Sequence, residues 1–205
     1  MLLEEIRLRT KNLSALYTFY NDILELPVKY VEEKSISITG GRTQLVFEAL
    51  KDETDPFYHF AFNIPSNKFD EAFQWLQNRT ELLWLDDYNS YIADFVNWHA
   101  KSVYFLDPAG NILELIARFD LKDDAEEIFS SMQFRNISEI GLVFSKETFD
   151  ANVEELLNNY QIQYFPKQMP LLQFRALGDD EGLFIIVPEN RNWFATKIPS
   201  AIFPI

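Results

Sequence analysis

Three short apolar runs in this chain each begin with a residue that can ligate a metal ion: Glu5 in "EIRLR", His59 in "HFAFN" and Glu139 in "EIGLV". A fourth such residue, Glu114, lies inside the run "ILELIAR". Side chains alternate faces along a strand, so Ile112, Glu114 and Ile116 share one face and Leu113 and Leu115 the other. A carboxylate between apolar neighbours is costly unless it is solvated, paired or bound to a metal. Two readings of Glu114 are therefore open at this stage, a solvent-facing residue on an edge strand or a ligand inside a cavity. His59 is open in the same way, as a histidine satisfied by a backbone carbonyl or as a donor to a metal.

The elements that carry these residues recur. Ser102 to Leu106 and Ile112 to Ala117 are rich in β-branched, aromatic and aliphatic residues, and Asp107-Pro108-Ala109-Gly110-Asn111 between them supplies turn chemistry, which predicts a β-hairpin. The order strand, helix, several strands occurs three times. Asn12, Ser66 and Ser145 are placed to cap the three helices. Their apolar stripes are Leu13, Leu16, Tyr17, Tyr20 and Leu24, then Phe69, Ala72, Phe73 and Leu76, then Phe149, Val153, Leu156, Leu157 and Tyr160. Further strands are expected at 28–31, 35–39 and 43–50, at 82–85, and at 163–165, 171–177 and 182–188. Joints are expected at 51–56 and 119–136. The aromatic insertion "DDYNSYIADFVNWH", Asp86 to His99, has the length of a lid or binding loop.

Composition narrows the function. The 205 residues are 47% hydrophobic, enough for a real core, and 16% aromatic with 19 Phe, which suits an aromatic-lined interior. A net charge of −14 disfavours nucleic acid and anionic membrane surfaces, and suits a cationic aromatic ligand. With no cysteine there are no disulfides, thiolate metal sites or thiol nucleophiles, consistent with a cytoplasmic protein. No apolar run has the length of a membrane span, and "MLLEEIRLRTKN" lacks a signal-peptide layout.

Three βαβββ-like units, the "HFAF" strand start, the helix "NLSALYTFYNDILELPV" and above all "YFLDPAGNILELI" resemble the vicinal oxygen chelate superfamily. That group includes glyoxalase I, fosfomycin-resistance proteins, extradiol dioxygenases and bleomycin-resistance proteins. The resemblance covers residues 1–118 well and 137–190 more weakly. It implies an α+β fold in which two modules, 1–50 and 57–118, pair around a cleft. Residues 119–136 would then be a linker, and 137–205 a third, degenerate module with a C-terminal tail.

The resemblance also implies a divalent metal ion at the start of each module's first strand and near the end of its last. That places His59, Glu114 and Glu5 as ligands, with Glu48 as a possible fourth. Such a nitrogen and oxygen donor set suits Zn, Mn, Fe, Ni or Co. Glu5, His99 and Tyr104 are the candidate catalytic groups, with His99 either a proton donor at the cleft or a surface-loop histidine, and Tyr104 either a hydrogen-bond donor to ligand or a core residue. Aligning "DPAGNILELI" with "GDDEGLFIIV" sets Ile185 opposite Glu114, which leaves Glu139 alone and the third unit structural. An odd module needs cover, either from a third module across a homodimer or from the tail "NRNWFATKIPSAIFPI" folding back. Two function classes follow. One is a metal-dependent lyase, isomerase or dioxygenase acting on a small oxygenated substrate. The other is a non-catalytic protein that binds or sequesters a small molecule.

Overall fold

The structure, a computed structural model, describes residues 1–31, 33–51 and 54–205. Part of the expected joint at 51–56, positions 52 and 53, lies outside the described residues. Unit one contains strands β1 (Glu5–Thr10), β2 (Val28–Val31), β3 (Ser35–Gly40) and β4 (Thr43–Ala49), joined in the order β1-β4-β3-β2. Its helix α1 (Leu13–Thr18) runs on as a π-helical turn, Phe19–Ile23. Unit two contributes β5 (His59–Ile64), helix α2 (Phe69–Gln77), β6 (Ile92–Phe95), β7 (Ala100–Leu106) and β8 (Ile112–Arg118). Unit three contributes β9 (Asn136–Phe144), helix α3 (Phe149–Tyr160), β10 (Arg175–Asp179) and β11 (Gly182–Pro188). The fold is α+β, as expected.

The pairing of units differs from the expectation. Units two and three share one seven-stranded sheet, β10-β11-β9-β5-β8-β7-β6, and unit one keeps its own four-stranded sheet. At the centre β5 runs antiparallel to β9, and each is flanked by a parallel partner, β8 and β11. The cleft therefore belongs to units two and three, and unit three finds its partner within the chain. The unit left over is unit one.

Strand patterning explains this arrangement. All six residues of β5 are buried, as a strand covered on both faces requires. Phe60 and Phe62 enter a large core with Leu113 and Leu115, while His59 and Ala61 face the other way. In β1, by contrast, Ile6, Leu8 and Thr10 are buried while Glu5, Arg7 and Arg9 are exposed. Unit one turns its apolar side, including Ile36, Ile38, Leu45 and Phe47, to the same core as Phe60 and Phe62. It thus packs against the outer face of the large sheet and leaves its polar face to water. Gly41, at φ +62°, lets the chain press on the segment leading into β9, where Arg42 N–H donates to the Arg135 carbonyl at 2.8 Å.

Local details depart from the sequence in small ways. Asn12 makes no side-chain cap; its backbone N–H instead donates to Thr10 Oγ1 at 3.0 Å. Ser66 opens a 3-10 turn before α2 and donates to Asp124, and Ser145 accepts from Thr148 N–H in the turn before α3. Residues 82–85 and 163–165 contribute isolated bridges rather than strands. Part of the insertion expected as a lid is β6, an edge strand of the sheet.

The hairpin turn forms as its chemistry requires. Asp107 Oδ1 accepts from the N–H groups of Ala109 (2.9 Å) and Asn111 (3.0 Å), and Gly110 takes φ +81°. Asp107 Oδ2 accepts from the Tyr20 hydroxyl at 2.9 Å and ties unit one to unit two. Burial pushes the Asp107 carboxyl up to about 6, from 3.8, although these donors pull against the shift. The folded state then holds a proton more tightly than the unfolded chain. The stability contributed by this group is full below about pH 4 and lost as pH rises towards 6. In Asp107→Asn, urea-denaturation midpoints should therefore fall less between pH 4 and 6 than in the wild type; an identical fall would refute the assignment.

Candidate metal centre

Three adjacent strands bring His59, Glu114 and Glu139 together. Ala61 on β5 is the register partner of Glu114 on β8 and of Glu139 on β9, so the two carboxylates flank the smallest chiral side chain available. His59 lies two residues earlier on the same face of β5. One ligand atom from each of the three lies within 4.8 Å of the others, and all three residues are buried. The imidazole Nε2 is 3.9 Å from Glu114 Oε2 and 3.8 Å from Glu139 Oε2.

The set fits a metal ion on its own chemistry. His59 Nδ1 lies 3.1 Å from the Ile112 carbonyl, an acceptor, so this nitrogen carries the proton and Nε2 faces the carboxylates. The 3.8–3.9 Å separations are too long for hydrogen bonds. They match the roughly 3–4.4 Å spread of two donors on one ion at ordinary ligand distances. Without a cation the cluster is uncomfortable. Burial, and then the charge of Glu139, push the Glu114 carboxyl up to about 7, against the pull of His59, Ser102 and Tyr104. Burial lowers the His59 pKa, but the two carboxylates outweigh it and raise the value overall.

Each carboxylate is held by neighbours. The Ser102 hydroxyl donates to Glu114, and Tyr104 stands directly across from it on β7. Burial, followed by the two carboxylates, raises the Tyr104 pKa well above 10, so the phenol keeps its proton at neutral pH. Glu139 is paired with Arg118, which is fully buried and also bonds Asn63 (3.2 Å) and Asp180 (3.4 Å). Asp180 and Asp120 in turn bind Lys167, each at 2.7 Å.

The triad opens into a cavity of about 220 Å³ with largely aromatic walls, among them Phe95, Trp98, Phe174, Trp193 and Phe194. The tail supplies part of this wall, so it does fold back over the sheet. Trp193 sits 5.3 Å from the His59 ring and is seated over Gly141, where a Cβ would meet the indole at 2.5 Å. Gly141→Ala should displace Trp193 and destabilise the fold by about 1–3 kcal/mol. A wild-type tryptophan emission spectrum and melting temperature in that variant would refute the seating.

Of the residues singled out in the sequence, His59, Glu114 and Tyr104 meet at this site. Glu5 and Glu48 do not. They lie on the exposed face of unit one and both bind Arg7, at 2.8 and 3.0 Å, because unit one packs by its opposite, apolar side. His99 points outward, 62% exposed at its side chain, and lies 2.8 Å from Asp120. Glu139, rather than Glu5, stands beside His59 and Glu114, so unit three also lines the cavity. The signal was present in the sequence: Glu139 opens the apolar run "EIGLV" as His59 opens "HFAFN". In register, Ile185 stands to Gly141 as Glu114 stands to Ala61, and Ile185 also lines the cavity. This pseudo-symmetry leaves an apolar residue where a fourth protein donor would sit.

Comparison with known proteins agrees with this architecture. The metallothiol transferase FosB of Staphylococcus saprophyticus is 30% identical over 113 residues, spanning 51% of this chain and 68% of the relative. The chain belongs to the vicinal oxygen chelate superfamily. Among solved structures, a Bacillus subtilis protein provisionally assigned as a dioxygenase shares the fold over 91% of this chain and 63% of its own, with a TM-score of 0.60 at 14% identity. Lactoylglutathione lyase from Agrobacterium tumefaciens matches 56% of this chain and 92% of its own, with a TM-score of 0.45 at 21% identity. No family model matches the chain. Among the described residues, no helix is long and apolar enough to cross a membrane.

Proposed function

We propose that this chain is a metal-dependent enzyme that binds one divalent ion through His59, Glu114 and Glu139 and acts on a small oxygenated substrate in the aromatic cavity. The observation that carries this reading is the convergence of three buried ligand atoms within 4.8 Å at the floor of that cavity. When bound, a divalent ion would supply Lewis-acid polarisation of a substrate oxygen. The protein's own groups do the rest. Ser102 holds Glu114, Arg118 orients Glu139, and the Ile112 carbonyl fixes the tautomer of His59. Tyr104 keeps a proton it can donate to a substrate oxygen, and the aromatic walls exclude water around it. Similarity to the metallothiol transferase FosB supports metal-dependent chemistry, and lyase, isomerase or dioxygenase action is our reading of it.

The aromatic lining also supports a second reading, non-catalytic sequestration of a flat ligand. Metal content separates the two. Protein purified without chelators or a metal-affinity tag should contain about one equivalent of transition metal per chain, and His59→Ala should contain none while remaining folded. Metal-free wild-type protein that also fails to take up zinc, manganese, iron, nickel or cobalt would leave sequestration as the function.

A further inference from the structure

Arg191 differs from most shielded cations of this chain: half-buried Lys101 also has no ion pair among the described residues, but of the two only Arg191 lines the cavity. Arg118 is paired with Glu139 and Asp180, Lys167 with Asp120 and Asp180, Lys68 with Glu71, and Arg175 with Asp150. Among the described residues Arg191 has no carboxylate partner. Its guanidinium makes one long hydrogen bond, to the Asn192 carbonyl at 3.4 Å, and lies 5.5 Å from the centre of the Phe174 ring. It is about half-buried, and it lines the same cavity as His59, Glu114 and Glu139. Burial lowers its pKa with no opposing contribution, the mark of a charge drawn from water without a counterion.

The position is held rigidly. Arg191 N–H donates to Ser200 Oγ at 3.2 Å, and Ser200 N–H returns a bond to the Arg191 carbonyl at 2.8 Å. Ser200 is itself buried and donates to the Pro188 carbonyl at 2.7 Å, at the end of β11. The tail that seats Trp193 over Gly141 therefore also fixes Arg191 at the cavity wall.

We infer that Arg191 is the anchor for an oxyanion on the substrate, and that the substrate is a small, flat molecule carrying a carboxylate or phosphonate-type group. The inference rests on the proposed function in taking this cavity as the substrate site. The guanidinium fork matches two oxygens of such a group, and the aromatic side chains of Trp98, Phe174 and Trp193 line the cavity around it. It reverses what the overall charge of −14 suggests. With a divalent ion balancing Glu114 and Glu139, Arg191 leaves the cavity lining net positive inside an acidic protein.

Benzoate, benzamide and benzamidine share a ring and nearly a volume but differ in charge. Binding of each to the zinc-supplemented full-length protein can be followed by the fluorescence of Trp98 and Trp193. Benzoate should bind at least about tenfold more tightly than benzamide, and benzamidine more weakly than either. In Arg191→Gln the benzoate preference should shrink to about twofold while benzamide affinity is unchanged, and Arg191→Lys should retain part of it. Phenylphosphonate in place of benzoate distinguishes the two oxyanion classes.

A benzoate preference that survives Arg191→Gln, a preference for benzamidine, or no binding of any probe up to about 10 mM would overturn the inference. Metal content measured on the same samples keeps the two readings apart. An Arg191-dependent benzoate preference in protein that holds no metal sustains this inference and rejects the metal centre. Full metal with no such preference does the reverse.

Discussion

Glu139→Gln should lower the affinity for a divalent ion by at least about a hundredfold, whereas Glu5→Gln and Glu48→Gln should leave it unchanged. The contrast comes from where the strands put these residues. Glu139 is buried and faces the cavity beside His59 and Glu114, whereas Glu5 and Glu48 face water on unit one and share Arg7. Glutamine keeps the volume of glutamate but not its charge, and a metal site assembled from one imidazole and two carboxylates depends on both anions. Isothermal titration with zinc and manganese reads the effect directly. Retained affinity in Glu139→Gln, or lost affinity in Glu5→Gln, would mean that the ion sits elsewhere.

Arg118→Met should destabilise the metal-free protein by about 3–5 kcal/mol, the range for a buried charge pair broken on one side. Arg118 has no exposed surface, and its removal strands Glu139 next to Glu114 with two negative charges and one imidazole to share between them. The double variant Arg118→Met/Glu139→Met should recover most of that loss, because neither charge then remains buried without a partner. Adding zinc should restore part of the stability of the single variant and little of the double one. Equal losses in single and double variants, measured by urea denaturation, would show that Arg118 acts through packing rather than through Glu139.

These two residues also mark where sequence reading stopped. The repeat of strand, helix and strands, the Asp-Pro-Ala-Gly-Asn hairpin, and the special status of His59 and Glu114 were all legible, because each depends on neighbours within a few residues. So was the peculiarity of Glu139 as the polar opening of the apolar run "EIGLV". Which units share a sheet was not legible. Units one and two both carry a polar residue at the start of their first strand, and local pattern ranks Glu5 with His59.

Tertiary structure broke that tie. β5 is buried on both faces, Phe60, Phe62 and Ile64 on one and His59, Ala61 and Asn63 on the other, whereas β1 alternates charged and apolar residues and tolerates water on one. The alternation was visible in "EIRLR", but its consequence depends on which surface is available to bury Ile6 and Leu8. Once β9 takes the edge of β5, Glu139 replaces Glu5, Arg118 acquires a buried partner, and the tail brings Trp193 and Arg191 to the cavity. The sequence by itself determined the modules and their local turns, since short-range sterics and side-chain periodicity specify them. Only the tertiary structure decided which modules face one another, because that choice is made by burying whole faces and not by any run of residues.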